Sequence, residues 1–139
     1  MKHALVDQNI LFDYLLQRQL FVEPAQILIQ LGIDQKVKLY VTSLSFTNLY
    51  YVLRRANPHK KVVEKLQALS QWFKIIAVDE NVVQQSLASD FTDFEDAVQH
   101  YAAAAQPEIR YIITRNKKDF QHSTLTILDA SEFLAQLSG

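Results

Sequence analysis

Five short apolar runs rich in β-branched residues alternate along this chain with amphipathic stretches of helical spacing, and that alternation leaves one class of fold. The runs are His3–Val6, Lys38–Thr42, Lys74–Val78, Arg110–Ile113 and Thr124–Leu128. Their brevity and composition fit strands covered on both faces, as in a parallel sheet. Between them, Ile10, Leu11, Tyr14 and Leu15 recur at helical spacing, as do Ala25, Leu28, Ile29 and Gly32 after Pro24 near a helix start. Leu44, Leu49, Val52 and Leu53 mark a helix that must end before Asn57 and Pro58. Further helical faces follow at Val62, Val63, Leu66, Leu69 and Phe73, at Val82, Val83 and Leu87, and at Phe94, Val98, Tyr101, Ala102 and Ala105. Asp129–Leu137 closes the chain as a last helix. The expected fold is α/β: a three-layer α/β/α sandwich with a mainly parallel five-stranded sheet and right-handed crossovers.

Two glycines, three prolines, no internal repeat and no linker make one domain over residues 1–139 the simplest expectation. A hydrophobic fraction of 49% with 21% charged residues excludes a disordered chain. There is no cysteine, so disulfides and thiolate metal sites are excluded and a cytoplasmic location is expected. No apolar stretch is long enough for a membrane span, and Asp7 comes too early for a signal peptide. The formal charge of −1 argues against a generic basic coat for nucleic acid.

Three polar segments stand where such a sheet binds ligands, at strand carboxyl ends. Asp7 directly follows the first strand, a place that also suits a helix N-cap. Thr92 and Glu95 have capping-box spacing, which starts a helix near Asp93, sets Asp93 and Asp96 on one face and turns Phe94 and Val98 to the core. Acids here also complement the helix dipole, although that explains Asp96 least well because it flanks the buried stripe. Thr114-Arg115-Asn116-Lys117-Lys118-Asp119 follows the strand Tyr111–Ile113 and otherwise reads as a polar loop. If the first strand and the one before Thr114 are neighbours, Asp7, Asp96 and Asp119 meet in one crevice. Carboxylates so close repel unless a cation joins them, and hard ions such as Mg2+ or Mn2+ take such oxygen ligands.

At these residues the sequence resembles the PIN-domain family of ribonucleases, in particular the VapC-like toxins of bacterial toxin–antitoxin pairs. The matching pieces are Leu5-Val6-Asp7-Gln8-Asn9-Ile10-Leu11, Asp93-Phe94-Glu95-Asp96-Ala97-Val98-Gln99 and Ile113-Thr114-Arg115-Asn116-Lys117-Lys118-Asp119-Phe120, and their order covers almost the whole chain. The resemblance implies that Asp7, Asp96 and Asp119 are metal-binding catalytic acids, supported by Asn9, Thr114 and Asn116. There are two departures. Gln8 stands where the family usually has Thr, and Asn48, after the second strand, where a typical member has Glu. An amide oxygen at Asn48 can still serve the site but brings no charge, and Asp93 is the candidate for the missing carboxylate.

The function so implied is a Mg2+- or Mn2+-dependent endoribonuclease, the toxin of a toxin–antitoxin system, with the metal orienting and activating a water. Arg115, Lys117 and Lys118 would hold the RNA backbone, with Arg18, Arg54, Arg55, Lys60 and Lys61 as a wider rim. His100, on the face of Asp96, reads equally as a proton donor or a structural histidine, and Tyr50 and Tyr51 as base-stacking or packing residues. The family implies a homodimer and a small antitoxin. Surplus apolar residues for such a surface are Phe12, Leu16, Leu20, Phe21, Ile27 and Leu31. Three other readings stand beside this one: a catalytically weak or inactive PIN-like module that binds RNA or a partner, a signalling receiver domain, and a metal-dependent phosphatase. The receiver reading lacks its lysine after the last strand, since Leu125–Leu128 runs into Asp129 and Ala130.

Overall fold

Ala4, Leu5 and Val6 have no exposed surface, which requires a strand with both faces covered. The computed structural model, which describes residues 1–138, places them in β1 (Lys2–Val6). Gly139, the last residue of the expected domain, lies outside the described residues. β1 is the middle of a five-stranded sheet ordered β3-β2-β1-β4-β5, with β2 (Val37–Thr42), β3 (Lys74–Ile76), β4 (Tyr111–Ile113) and β5 (Thr126–Leu128). Every pairing is parallel, with Ala4 opposite Leu39 and Tyr111, and Val6 opposite Ile113.

Successive side chains on β1 enter different cores, as strand geometry demands. Ala4 and Val6 pack with residues of α1 (Gln8–Leu15), α2 (Val22–Ile33), α4 (His59–Trp72) and α7 (Ala130–Ser138), including Leu11, Leu28, Leu69 and Phe133, and with Leu49 of α3 (Ser43–Arg54). Leu5 packs the other way, with Val82 of α5 (Glu80–Leu87), Val98 and Ala102 of α6 (Phe94–Ala104), and Phe120 at the end of a short 3-10 helix, Lys117–Phe120. Helices therefore cover both faces, and the fold is the expected α/β/α sandwich. Gly32 lets α2 approach β2 closely: a Cβ there would lie 2.8 Å from Leu39 Cδ1 and would push that side chain aside.

The expected strands are all present: the first two begin one residue earlier, and the other three are one or two residues shorter. The third stops at Ile76, so that Asp79 can cap α5 through Val82 N at 3.0 Å. The expected start of α6 needs correction. Asp93, not Thr92, is the N-cap, and its Oδ1 accepts from the Asp96 backbone N at 3.1 Å. The first turn is set accordingly, and Phe94 is 47% exposed instead of facing the core.

Strand order also locates a crevice. From β1 the chain steps outward to β2 and β3, then crosses back to enter β4 on the other flank of β1. The carboxyl ends of β1 and β4 thus flank the point where strand order reverses, the usual ligand position in open α/β sheets. No helix among the described residues is long and apolar enough to cross a membrane.

Candidate active site

Two side chains are fixed at that crevice by the sheet itself. The backbone N of Asp7 donates to Ile113 O at 2.9 Å, and that of Thr114 to Leu128 O at 2.9 Å, so both residues continue the parallel ladders past the strand ends. Thr114 is fully buried and donates its hydroxyl to Asp7 Oδ2 at 2.8 Å, while accepting from the Asn116 backbone N at 3.0 Å. Gln99 Nε2 reaches Asp7 Oδ1 from α6 at 3.0 Å. Asp7 is 2% exposed. Burial pushes its carboxyl pKa above the ordinary value, and the bonds from Gln99 and Thr114 oppose that shift. The backbone amides of Asn9 and Gln8 add weaker attraction, although Asp7 makes no cap hydrogen bond to α1.

The other acids converge on Asp96. Its carboxyl is raised to about 7, first by burial and then by the negative charges of Asp93, Asp7, Asp119 and Glu95, in that order. Asp96 therefore feels acids from the end of β1, from the start of α6 and from the 3-10 helix at once. Asp119 is exposed on that helix, which Phe120, 1% exposed, anchors in the second core. The structure thus brings Asp7, Asp93, Asp96 and Asp119 within electrostatic reach of one another. They do not form a closed cage: among the described residues no three acidic or histidine side chains are set close enough to hold a metal ion.

Asn48 lies at the same mouth, half-buried on α3, and its Nδ2 donates to Gln8 Oε1 at 2.9 Å. Gln8 Nε2 in turn donates to Glu95 Oε2 at 2.8 Å, and the Gln8 backbone N to Gln99 Oε1 at 3.3 Å. Asn9 is half-buried, and Asn116 is exposed beside Thr114. His100 is a packing residue, 4% exposed, stacked on Phe91 and bonded through Nδ1 to Ser123 Oγ at 2.8 Å; burial lowers its pKa. Tyr50 bonds to His59 Nδ1 at 2.8 Å, and Tyr51 is exposed.

The cations after β4 are differently disposed. Arg115 Nε and a terminal nitrogen donate to the two oxygens of Asp13 at 2.8 and 3.1 Å, and its guanidinium lies 4.0 Å from the centre of the Phe21 ring. Arg18 adds a third contact to Asp13 at 3.4 Å. Lys117 pairs with Glu132 at 2.8 Å on the surface. Lys118 is exposed and has no side-chain partner among the described residues. Of the surplus apolar residues, Leu16, Leu20, Phe21 and Ile27 are exposed, Leu31 is half-buried and Phe12 is buried. Leu20 and Phe21 line a cleft of about 270 Å3 with Asp13 and Arg115.

The model of the family described as the PIN domain matches residues 3–118, which include the ends of β1 and β4 and most of the acids. The chain belongs to the PIN-domain family. The fold of this PIN domain is shared with solved toxin–antitoxin assemblies. A toxin–antitoxin complex from Klebsiella pneumoniae is similar with a TM-score of 0.69 and 18% identity, over 91% of this chain and 97% of that one. VapBC-1 from nontypeable Haemophilus influenzae is similar with a TM-score of 0.67 and 14% identity, over 93% and 98%. VapBC2 from Rickettsia felis, bound to a DNA fragment from its promoter, gives 0.62 and 14%, over 91% and 97%. Among curated protein sequences none matches this PIN domain.

Several polar residues of the PIN domain escaped the sequence reading. Gln99 and Glu95 sit inside the matching segments, but Glu95 read there as a helix cap and dipole complement, and Gln99 was given no role. Asp13, 1% exposed, was given no role. Its only signal was a carboxylate between Phe12 and Tyr14 with arginines elsewhere in the chain.

Proposed function

We propose that this PIN domain is a metal-dependent endoribonuclease that hydrolyses RNA phosphodiester bonds and serves as the toxin of a toxin–antitoxin pair. The single observation that carries the reading is the field around Asp96, where four other carboxylates gather at the sheet's reversal point. Family membership supports nuclease chemistry, and the toxin–antitoxin complexes that share the fold support the biological setting.

The donor set fits a hard divalent ion, Mg2+ or Mn2+, in charge and in being all oxygen. Asp7, Asp96 and Asp119, which as they stand are not close enough to hold an ion, would draw together on it, with Asp93 and the amide oxygen of Asn48 as further donors. When bound, such an ion supplies an activated water and stabilises charge on the phosphate. The chain's own residues do the positioning. Thr114 and Gln99 hold both oxygens of Asp7 in place, Asp93 fixes the first turn of α6, and Phe120 seats the helix that carries Asp119. Lys118, Lys117 and Asn116 stand on the same loop, where an RNA backbone would pass. Arg115 contributes indirectly in this reading, because Asp13 already engages its guanidinium. The exposed apolar residues Leu16, Leu20, Phe21 and Ile27 offer a surface for a small antitoxin or a second copy of the chain.

The test is cleavage of a mixed-sequence RNA with added Mn2+. Asp7→Asn and Asp96→Asn should each lower the rate by about a hundredfold or more, the scale of a lost electrostatic contribution to the transition state. Cleavage by both variants at the wild-type rate would remove the site from the reaction. Asn48 favours a second reading, a PIN domain that binds RNA or a partner with weak or no cleavage. It predicts RNA retention without products at any Mn2+ concentration.

A further inference from the structure

The amides at the mouth of the site are polarised in one direction. A carboxylate has no proton to donate, so Glu95 can only accept, and it receives the Nε2 end of Gln8 at 2.8 Å. That orientation turns Gln8 Oε1 away from Glu95 and toward Asn48, where an oxygen can only accept. Asn48 therefore presents Nδ2, at 2.9 Å. Its remaining atom, Oδ1, makes no hydrogen bond among the described residues. Nor is it a sealed polar atom, because no buried side-chain nitrogen or oxygen of the described residues lacks a partner. Gln99 is fixed by the same logic, with Nε2 on an Asp7 oxygen and Oε1 facing the Gln8 backbone N–H. Without Gln8, the two ends of the Asn48 amide would be interchangeable, and either could take the place that Oδ1 now holds.

We propose that Gln8 is a positioning residue: held by Glu95, it occupies the nitrogen of Asn48 and so leaves Asn48 Oδ1 as the oxygen offered to the metal site. The inference rests on the metal-dependent reading above. It joins the two departures of this chain from the family pattern, Gln8 and Asn48, into one device. A glutamate at position 48 has oxygen at both tips and needs no orientation, whereas an amide needs a partner for its nitrogen. A threonine at position 8 is too short to span from Asn48 on α3 to Glu95 on α6.

Two measurements on the full chain test it. In the metal-free protein, the side-chain amide signals of Asn48 are followed by nuclear magnetic resonance. They should shift on Gln8→Leu, and also on Glu95→Ala, although Glu95 does not touch Asn48. Asn48 signals indifferent to Glu95→Ala would overturn the relay whatever the metal does. The second measurement is Mn2+ affinity by calorimetry, with folding checked by thermal melting. Gln8→Leu should weaken binding by roughly tenfold, the lower end for the loss of an outer-shell partner of a metal ligand. In an Asn48→Asp background, where either tip is an oxygen, the same substitution should change affinity less than about twofold. Equal losses in both backgrounds would show a merely structural role for Gln8 and overturn the proposal. Absence of Mn2+ binding by the wild type, with the amide shifts intact, would instead overturn the metal-dependent reading and remove the relay's purpose.

Discussion

Asp13 and Asp96 are carboxylates with opposite surroundings, and each makes a separate forecast. Asp13 is buried against guanidinium groups, two bonds coming from Arg115 and one from Arg18. Asp13→Ala strands Arg115, whose side chain is only 26% exposed, beside the Phe21 ring. Breaking a buried pair by removing one partner costs about 3–5 kcal/mol, and the partial exposure of Arg115 favours the lower end. Urea denaturation should therefore show a loss near 3 kcal/mol; a loss under 1 kcal/mol would mean the pair contributes little. Burial first, and then the acids that are the only charges acting on Asp96, hold its folded-state pKa at about 7 against an ordinary 3.8. Below about pH 4 it is protonated in both states and costs nothing. Between 4 and 7 the unfolded chain releases the proton while the folded one keeps it, so stability falls with rising pH. Above 7 the full penalty persists. Asn cannot ionise, so Asp96→Asn should melt at a higher temperature than wild type in metal-free buffer at pH 8, with the gap closing toward pH 4. A gap independent of pH would refute the assignment.

At the scale of elements, several helices on this sheet are started by side chains that the sequence displays openly. Asp79 caps α5, Thr42 caps α3, and Asp129 and Glu132 form a reciprocal box at α7, with bonds of 2.8 and 2.9 Å. Asp79 is the cleanest case to test, because its side chain bonds only to Val82 N among the described residues. Asp79→Ala should cost about 1 kcal/mol by denaturant titration, and Asp79→Asn much less, because either oxygen can cap. The same openness made the strands legible, since a strand covered on both faces must be a nearly continuous apolar run. The start of α6 was less legible because Thr92 and Asp93 are adjacent and both capable caps; Asp93 holds the role, and Phe94 is turned outward. In the crevice, Asp7 and Thr114 were readable as residues just past strand ends. Gln99, Glu95 and Gln8 were not, because their roles depend on which atom of an amide faces which partner across α1, α3 and α6. Arg115 shows the same limit. A cation after a strand end reads as a ligand contact, and nothing local reveals an acid in α1 that already holds it.

For the whole molecule, the sheet separates two cores, and the acids are carried by the end of the central strand and by two separate segments packed on the second core. Asp7 ends β1, Asp96 rides on α6 in the second core, and Asp119 sits on the 3-10 helix beside β5. A cation held by all three would tie these segments together in the folded state alone, so on the proposed reading metal binding and global stability are linked. At a hundredfold excess over its dissociation constant, an ion specific to the folded state adds about 2.7 kcal/mol. For a domain of this size each kcal/mol moves the melting temperature by roughly 4 °C, so Mn2+ should raise it by about 10 °C. The proton on Asp96 competes with the ion, and the rise at equal Mn2+ should be larger at pH 8 than at pH 6. Asp7→Asn should lose most of the rise at both values, because it replaces a carboxylate held in place by Thr114 and Gln99. A wild-type melting temperature that millimolar Mn2+ leaves unmoved at pH 8 would separate the fold, which stands on its own packing, from the metal chemistry proposed for it.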